Sequence, residues 1–108
     1  MDVTVEDTTH PIVAHLPARW NLVDELHVFA DRPEDTPITV LLAADEATLA
    51  ADYPADLRVG YHPIAWAHEL YGGRVVFSAL GHAPESYADP AYVEMLARAV
   101  AWAAHALE

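Results

Sequence analysis

Two adjacent glycines in the middle of an alternating stretch restrict this chain more than any other feature. Tyr61 to Pro90 reads YHPIAWAHELYGGRVVFSALGHAPESYADP, two strand-like runs separated by Gly72-Gly73. Paired glycines supply the positive φ that a tight hairpin needs. In the first run His62, Ile64, Trp66 and His68 share one face. In the second, Val75, Phe77 and Ala79 share one face, and Val76, Ser78, Leu80 and His82 the other. A turn centred near Gly72 pairs residues whose numbers sum to roughly 143 to 145. His62 then meets the Gly81-His82 neighbourhood at the open end, and His68 meets Val75 to Phe77 near the turn. Along the strand, His62 and His68 lie about 20 Å apart, so one metal ion cannot take both.

The rest of the chain supplies further elements. Val3 and Val5 alternate with polar residues as a short opening strand, and Thr9-His10-Pro11 breaks it. His10 is placed to cap a turn there. From Trp20 to Phe29 the residues Trp20, Leu22, Leu26 and Val28 keep one parity, which predicts a half-buried strand with Asp24 as its irregularity. Asp31 to Pro37 is a polar loop, and the branched apolar run Ile38 to Ala43 predicts a central strand covered on both faces. Asp45 to Arg58 predicts one short helix, capped by Asp45 and ended at Tyr53-Pro54. A closing helix is capped by Asp89 and opened by Pro90, with Val93, Leu96, Ala97, Val100, Ala103, Ala104 and Leu107 as its apolar stripe and Trp102 flanking it. Glu94 and Arg98 form an i,i+4 pair on its wet side.

With 108 residues, 54% of them apolar, the chain is expected to be a single domain over 1–108 with a real core. A net charge of −12 with only five Lys and Arg argues against nucleic acid and against anionic membrane surfaces. The absence of cysteine excludes disulfides, thiolate metal sites and a cysteine nucleophile. No apolar run reaches the ~20 residues of a membrane span, and the acidic start MDVTVEDTTH is unlike a signal peptide, so a cytoplasmic protein is expected.

Chemistry concentrates at the corner Gly81-His82-Ala83-Pro84-Glu85. An imidazole just past a strand end can act as a base near neutral pH, and a carboxylate three residues on can fix its tautomer. A plainer alternative has His82 bonded to a backbone carbonyl and Glu85 opening the next turn. His62 with His82 is the only histidine pair that the hairpin favours, and two histidines alone do not define a metal site. No metal is assigned, and no cofactor is named by the sequence. Trp66 is a core residue by default, with a sugar-stacking platform as its functional alternative. Glu25 interrupts an apolar strand, where a carboxylate needs a partner or a purpose. Glu69 and Arg74 form a cross-turn ion pair.

These residues also resemble a known family. His10-Pro11-Ile12, Leu16-Pro17, Trp20 with Asp24-Glu25-Leu26, His62-Pro63-Ile64-Ala65-Trp66 with His68-Glu69, Gly72-Gly73-Arg74-Val75, Ala79-Leu80-Gly81-His82, Pro84-Glu85-Ser86-Tyr87 and Asp89-Pro90 follow in order the pattern of the ThuA-like, trehalose-utilisation family. The resemblance is to the C-terminal half of the family domain. It implies a truncated flavodoxin-like, class I glutamine amidotransferase-like α/β layer carrying the hairpin and the C-terminal amphipathic helix, and a tie to disaccharide catabolism. Gly81 to Glu85 is similar to the amidotransferase His-Pro-Glu element with one residue inserted, which implies His82 and Glu85 as an acid–base pair. His62, Trp66, His68 and Glu25 are then the expected substrate-binding residues for a sugar or keto-sugar. Without cysteine, glutamine hydrolysis through a thioester is excluded. The competing expectation is a non-catalytic remnant whose exposed sheet edge is covered by a second copy or by a partner chain.

Overall fold

In the computed structural model, which describes residues 1–108, the opening alternation forms β1 (Asp2–Val5) with Val3 and Val5 buried. Its partners are β2 (Arg19–Asn21) on one side and β3 (Thr39–Asp45) on the other. The branched run does become the middle strand. Leu41 and Leu42 are fully buried there, and the five-stranded sheet has the order β2-β1-β3-β4-β5. The hairpin joins β4 (His62–His68) to β5 (Val75–Ser78) with Ala65 opposite Ser78 and His68 opposite Val75, numbers that sum to 143. Gly72 takes a φ of 87° at the turn, and Arg74 Nε lies 3.6 Å from Glu69 Oε1 across it.

All four strand pairings are antiparallel. This departs from the parallel flavodoxin-like layer that the family resemblance implies. Parallel neighbours need a crossover, usually a helix, between them. Here both α-helices, α1 (Pro84–Ala88) and α2 (Pro90–Ala103), follow the last strand, so no helix is available to carry the chain across the sheet. What stands is a small α/β architecture with an antiparallel sheet.

Three local expectations are corrected. The strand read from Trp20 to Phe29 shrinks to Arg19–Asn21, because from Asp24 onward the segment bonds through side chains and isolated carbonyls instead of a ladder. The helix read over Asp45 to Arg58 becomes two 3-10 turns, Glu46–Thr48 and Ala55–Leu57; Asp45 does cap the first, accepting from the Ala47 N–H at 3.0 Å. On α2, Asp89 caps and Pro90 opens as expected, with Glu94 and Arg98 paired at 3.1 Å, but the buried face is Tyr92, Met95, Ala99 and Trp102. Val100, from the expected stripe, is 71% exposed. One residue along a helix turns the face by about 100°, and the large ring areas of Tyr92 and Trp102 outweigh those of the valines. Arg74 reinforces the choice: its guanidinium lies 4.8 Å from the Trp102 ring and donates to the Trp102 and Leu107 carbonyls, each at 3.0 Å. No helix is long and apolar enough to cross a membrane.

Candidate functional site

The loop from Leu22 to Phe29 runs over the open end of the hairpin, and two carboxylates hold it and the neighbouring chain in place. The first is Asp24. Its Oδ2 accepts from the Gly81 N–H at 2.6 Å and the Ser86 hydroxyl at 2.5 Å, and its Oδ1 accepts from the amides of Glu25, His82 and Ala83 at 2.8, 3.1 and 3.2 Å. Burial, the largest single influence, pushes the Asp24 carboxyl up, but the bonds from Ser86, Gly81, Glu25 and Ala83 together hold it below its ordinary value. Gly81 makes this corner possible. Its φ is 106°, and a Cβ there would stand 2.5 Å from the Tyr87 hydroxyl.

The second is Glu46. Its oxygens accept from the Val59 N–H at 2.8 Å and the Gly60 N–H at 3.1 Å, and His62 Nδ1 lies 2.8 Å from Oε2. Desolvation again raises this carboxyl most strongly, and the Val59, His62 and Gly60 bonds carry it below its ordinary value. The other nitrogen of His62, Nε2, lies 2.7 Å from the His27 carbonyl. A carboxylate and a carbonyl only accept, so each ring nitrogen of His62 faces an acceptor. His62 is 1% exposed, and through it the sheet holds the loop by its backbone. Its place is structural support beneath the site.

Above these supports lies an open groove of about 440 Å³ lined by His27, Val28, Phe29 and the β5 end from Phe77 to His82. Phe77 stacks on Trp66 with ring centroids 4.5 Å apart and planes 18° apart, as their opposite positions in the hairpin register require. Phe29 meets both rings edge-on at 5.4 and 5.9 Å. His82 stands exposed at the groove's end with Nδ1 3.1 Å from Glu25 Oε2. The carboxylate can orient the ring, and Nε2, which has no protein partner, remains available to a ligand. Apolar ring faces beside an oriented imidazole and a carboxylate can bind a polyol with one apolar face.

A comparison with family models matches residues 1–103 to ThuA, described as trehalose utilisation. The chain belongs to the ThuA family. No curated protein and no solved structure gave a significant match. The family places this ThuA domain in the sphere of trehalose utilisation; which of its residues meet a ligand has to be read from the site itself.

In the ThuA domain the residues singled out from sequence fall into separate places. His82 and Glu25 meet, whereas Glu85 lies exposed in the first turn of α1 and makes no bond to His82. The physical reason is Asp24: by binding the amides of Gly81, His82 and Ala83 it draws the loop bearing Glu25 against the corner. His62 is sealed beneath the loop and does not share an open rim with His82. Trp66 is half-buried under Phe77. His68, at the far end of β4, accepts from the Leu70 N–H at 3.3 Å and lines a different depression with His10 and Trp102. His10 does cap its turn, accepting from the Ile12 N–H at 3.2 Å. Asp24, Glu46 and Phe77 are the site residues to which the sequence alone assigns no functional role. Asp24 was visible as the polar break in an apolar parity, and Phe77 followed from the register opposite Trp66. Glu46 carried no local signal.

Proposed function

We propose that this ThuA domain binds a disaccharide or its keto derivative in the groove between the Leu22–Phe29 loop and the end of β5, with Phe77 as the ring platform and His82 as the polar contact. The observation that carries this reading is that Phe77, stacked on Trp66, lines the same groove as His82, whose Nδ1 rests against Glu25. Sugars present an apolar face that packs on aromatic rings and hydroxyls that bridge to imidazole and carboxylate. The family tie to trehalose utilisation supports the ligand class. With Glu25 on Nδ1, His82 Nε2 is the group available to exchange a proton with a bound hydroxyl, and this is where acid–base chemistry would sit. The finer assignment to a class I glutamine amidotransferase-like, flavodoxin-like fold belongs to the same proposal and rests on the family alone.

Calorimetric titration with trehalose and with its oxidised form is the direct test. Binding by the wild type, lost in His82→Ala and weakened in Phe77→Ala with the fold intact by circular dichroism, is the expected pattern. A wild-type protein that binds neither sugar removes the reading.

A second reading is favoured by a specific feature, the free side of β5. That strand is last in the sheet order, and beside it Val76, Met95, Leu96, Ala99 and Val100 line an apolar cleft of about 410 Å³. An open edge beside apolar surface is a template for pairing, and a second copy presenting its own β5 would close both edges. Sedimentation across a wide concentration range decides it: a concentration-dependent dimer is expected, and a monomer throughout counts against it.

A further inference from the structure

The corner at Gly81-His82-Ala83 points three backbone amides at one spot, with the Ser86 hydroxyl aimed at the same place. Convergent amides of this kind form an anion-binding nest. In this chain the nest already holds an anion of its own, the carboxylate of Asp24. We propose that Asp24 is an internal anion that fixes His82 in position and bars anionic ligands from the corner, so that the groove accepts neutral sugars and rejects phosphorylated or carboxylated ones. The proposal rests on the groove being the sugar site.

Three further observations agree with it. No Lys or Arg is among the groove-lining residues, so no permanent cation there would neutralise a phosphate. Glu25 stands directly against His82 at the groove's end and adds negative charge where an anionic group would approach. The chain's net charge of −12 repels anions at longer range. The two oxygens of Asp24 also divide their work. Oδ2 joins Gly81 to Ser86, and Oδ1 joins the Glu25 amide to those of His82 and Ala83, so one side chain sets the separation between Glu25 and His82. Asp24 is therefore a positioning residue: it acts on the ligand through His82 and through the space it fills.

Sodium formate, a free carboxylate of the size of the Asp24 head group, probes the nest without reference to any sugar. In the wild type the amide resonances of Gly81, His82 and Ala83 are expected to stay fixed as formate is added against matched chloride. In Asp24→Ala they are expected to shift upfield, and formate should move them back towards wild-type positions. Wild-type corner amides that titrate with formate, or Asp24→Ala amides that are unmoved from wild type, overturn the proposal. If Asp24→Ala is destabilised in chloride, formate should raise its melting temperature more than it raises that of the wild type. Equal rises overturn it as well. Selectivity is read separately, by titrating trehalose and a trehalose phosphate: the neutral sugar is expected to bind at least tenfold more tightly, about 1.4 kcal/mol, and equal or tighter binding of the phosphate refutes the exclusion. Should the wild type bind neither sugar, the sugar site falls while the formate result still decides the role of Asp24.

Discussion

Gly81 carries a prediction whose size can be built from the structure. Replacing it by alanine imposes two costs. Its φ of 106° is a conformation that a residue with a Cβ rarely adopts, at about 1–3 kcal/mol. The new Cβ would also stand 2.5 Å from the Tyr87 hydroxyl and 3.1 Å from the Tyr92 hydroxyl, so at least Tyr87 must move. Tyr87 donates to the Gly81 carbonyl at 2.8 Å, and losing that bond adds about 0.5–1.5 kcal/mol. Gly81→Ala is therefore expected to cost about 1.5–4.5 kcal/mol. Two other glycines separate these costs. Gly72 has a φ of 87° but nothing within 4 Å of its would-be Cβ, so Gly72→Ala should cost only the backbone term, about 1–2 kcal/mol. Gly73 has open space and no positive φ, and Gly73→Ala should be neutral or slightly stabilising, by up to about 1 kcal/mol. Urea unfolding followed by tryptophan fluorescence measures all three on one scale. The expected order of cost is Gly81, then Gly72, then Gly73. A Gly81→Ala protein no less stable than Gly72→Ala would refute the claim that the two tyrosines close on this corner.

Other substitutions test the supports of the site. Glu46→Ala leaves His62 and the Val59 and Gly60 amides without their acceptor, and should cost about 3–5 kcal/mol in the same urea assay; a loss under about 1 kcal/mol would mean that water replaces the carboxylate freely. Asp24 and Glu46 are both held below their ordinary values in the folded state, so the unfolded chain binds more protons on acidification. Their contribution is complete above the ordinary carboxylate range, about pH 4, and is lost as pH falls through the depressed folded values. Melting temperatures from pH 7 down to pH 2 should fall most steeply below about pH 4, and Asp24→Asn should flatten that limb; an unchanged slope counts against the internal-anion role. On α2, Met95→Ala should cost about 2–5 kcal/mol and Val100→Lys less than about 0.5 kcal/mol; the reverse order would restore the face expected from sequence.

The hairpin, its register and the closing helix could be read along the chain because each depends on neighbours in sequence. Gly72-Gly73 dictates the turn, the turn sets which residues face one another, and Asp89-Pro90 opens α2. Which face of α2 is buried could not be read this way. Tyr92 and Trp102 win over the valines because Arg74, far away in sequence, stacks on Trp102 and binds the carbonyls beyond it. The strand over Trp20 to Phe29 failed for a similar reason: a loop is fixed by Asp24 and by the His27 carbonyl only when the hairpin end is present to receive them.

The same division holds for the site. Residue order alone determined that a histidine would stand just beyond the last strand and that Trp66 would face the stretch from Phe77 to Ala79, where the structure sets Phe77, since strand alternation and turn geometry are short-range constraints. Tertiary structure alone decided that the carboxylate beside His82 is Glu25, 57 residues away, and not Glu85, only three away. Proximity along a chain brings groups near one another without making them meet. Asp24, held by the corner amides, sets which of them do.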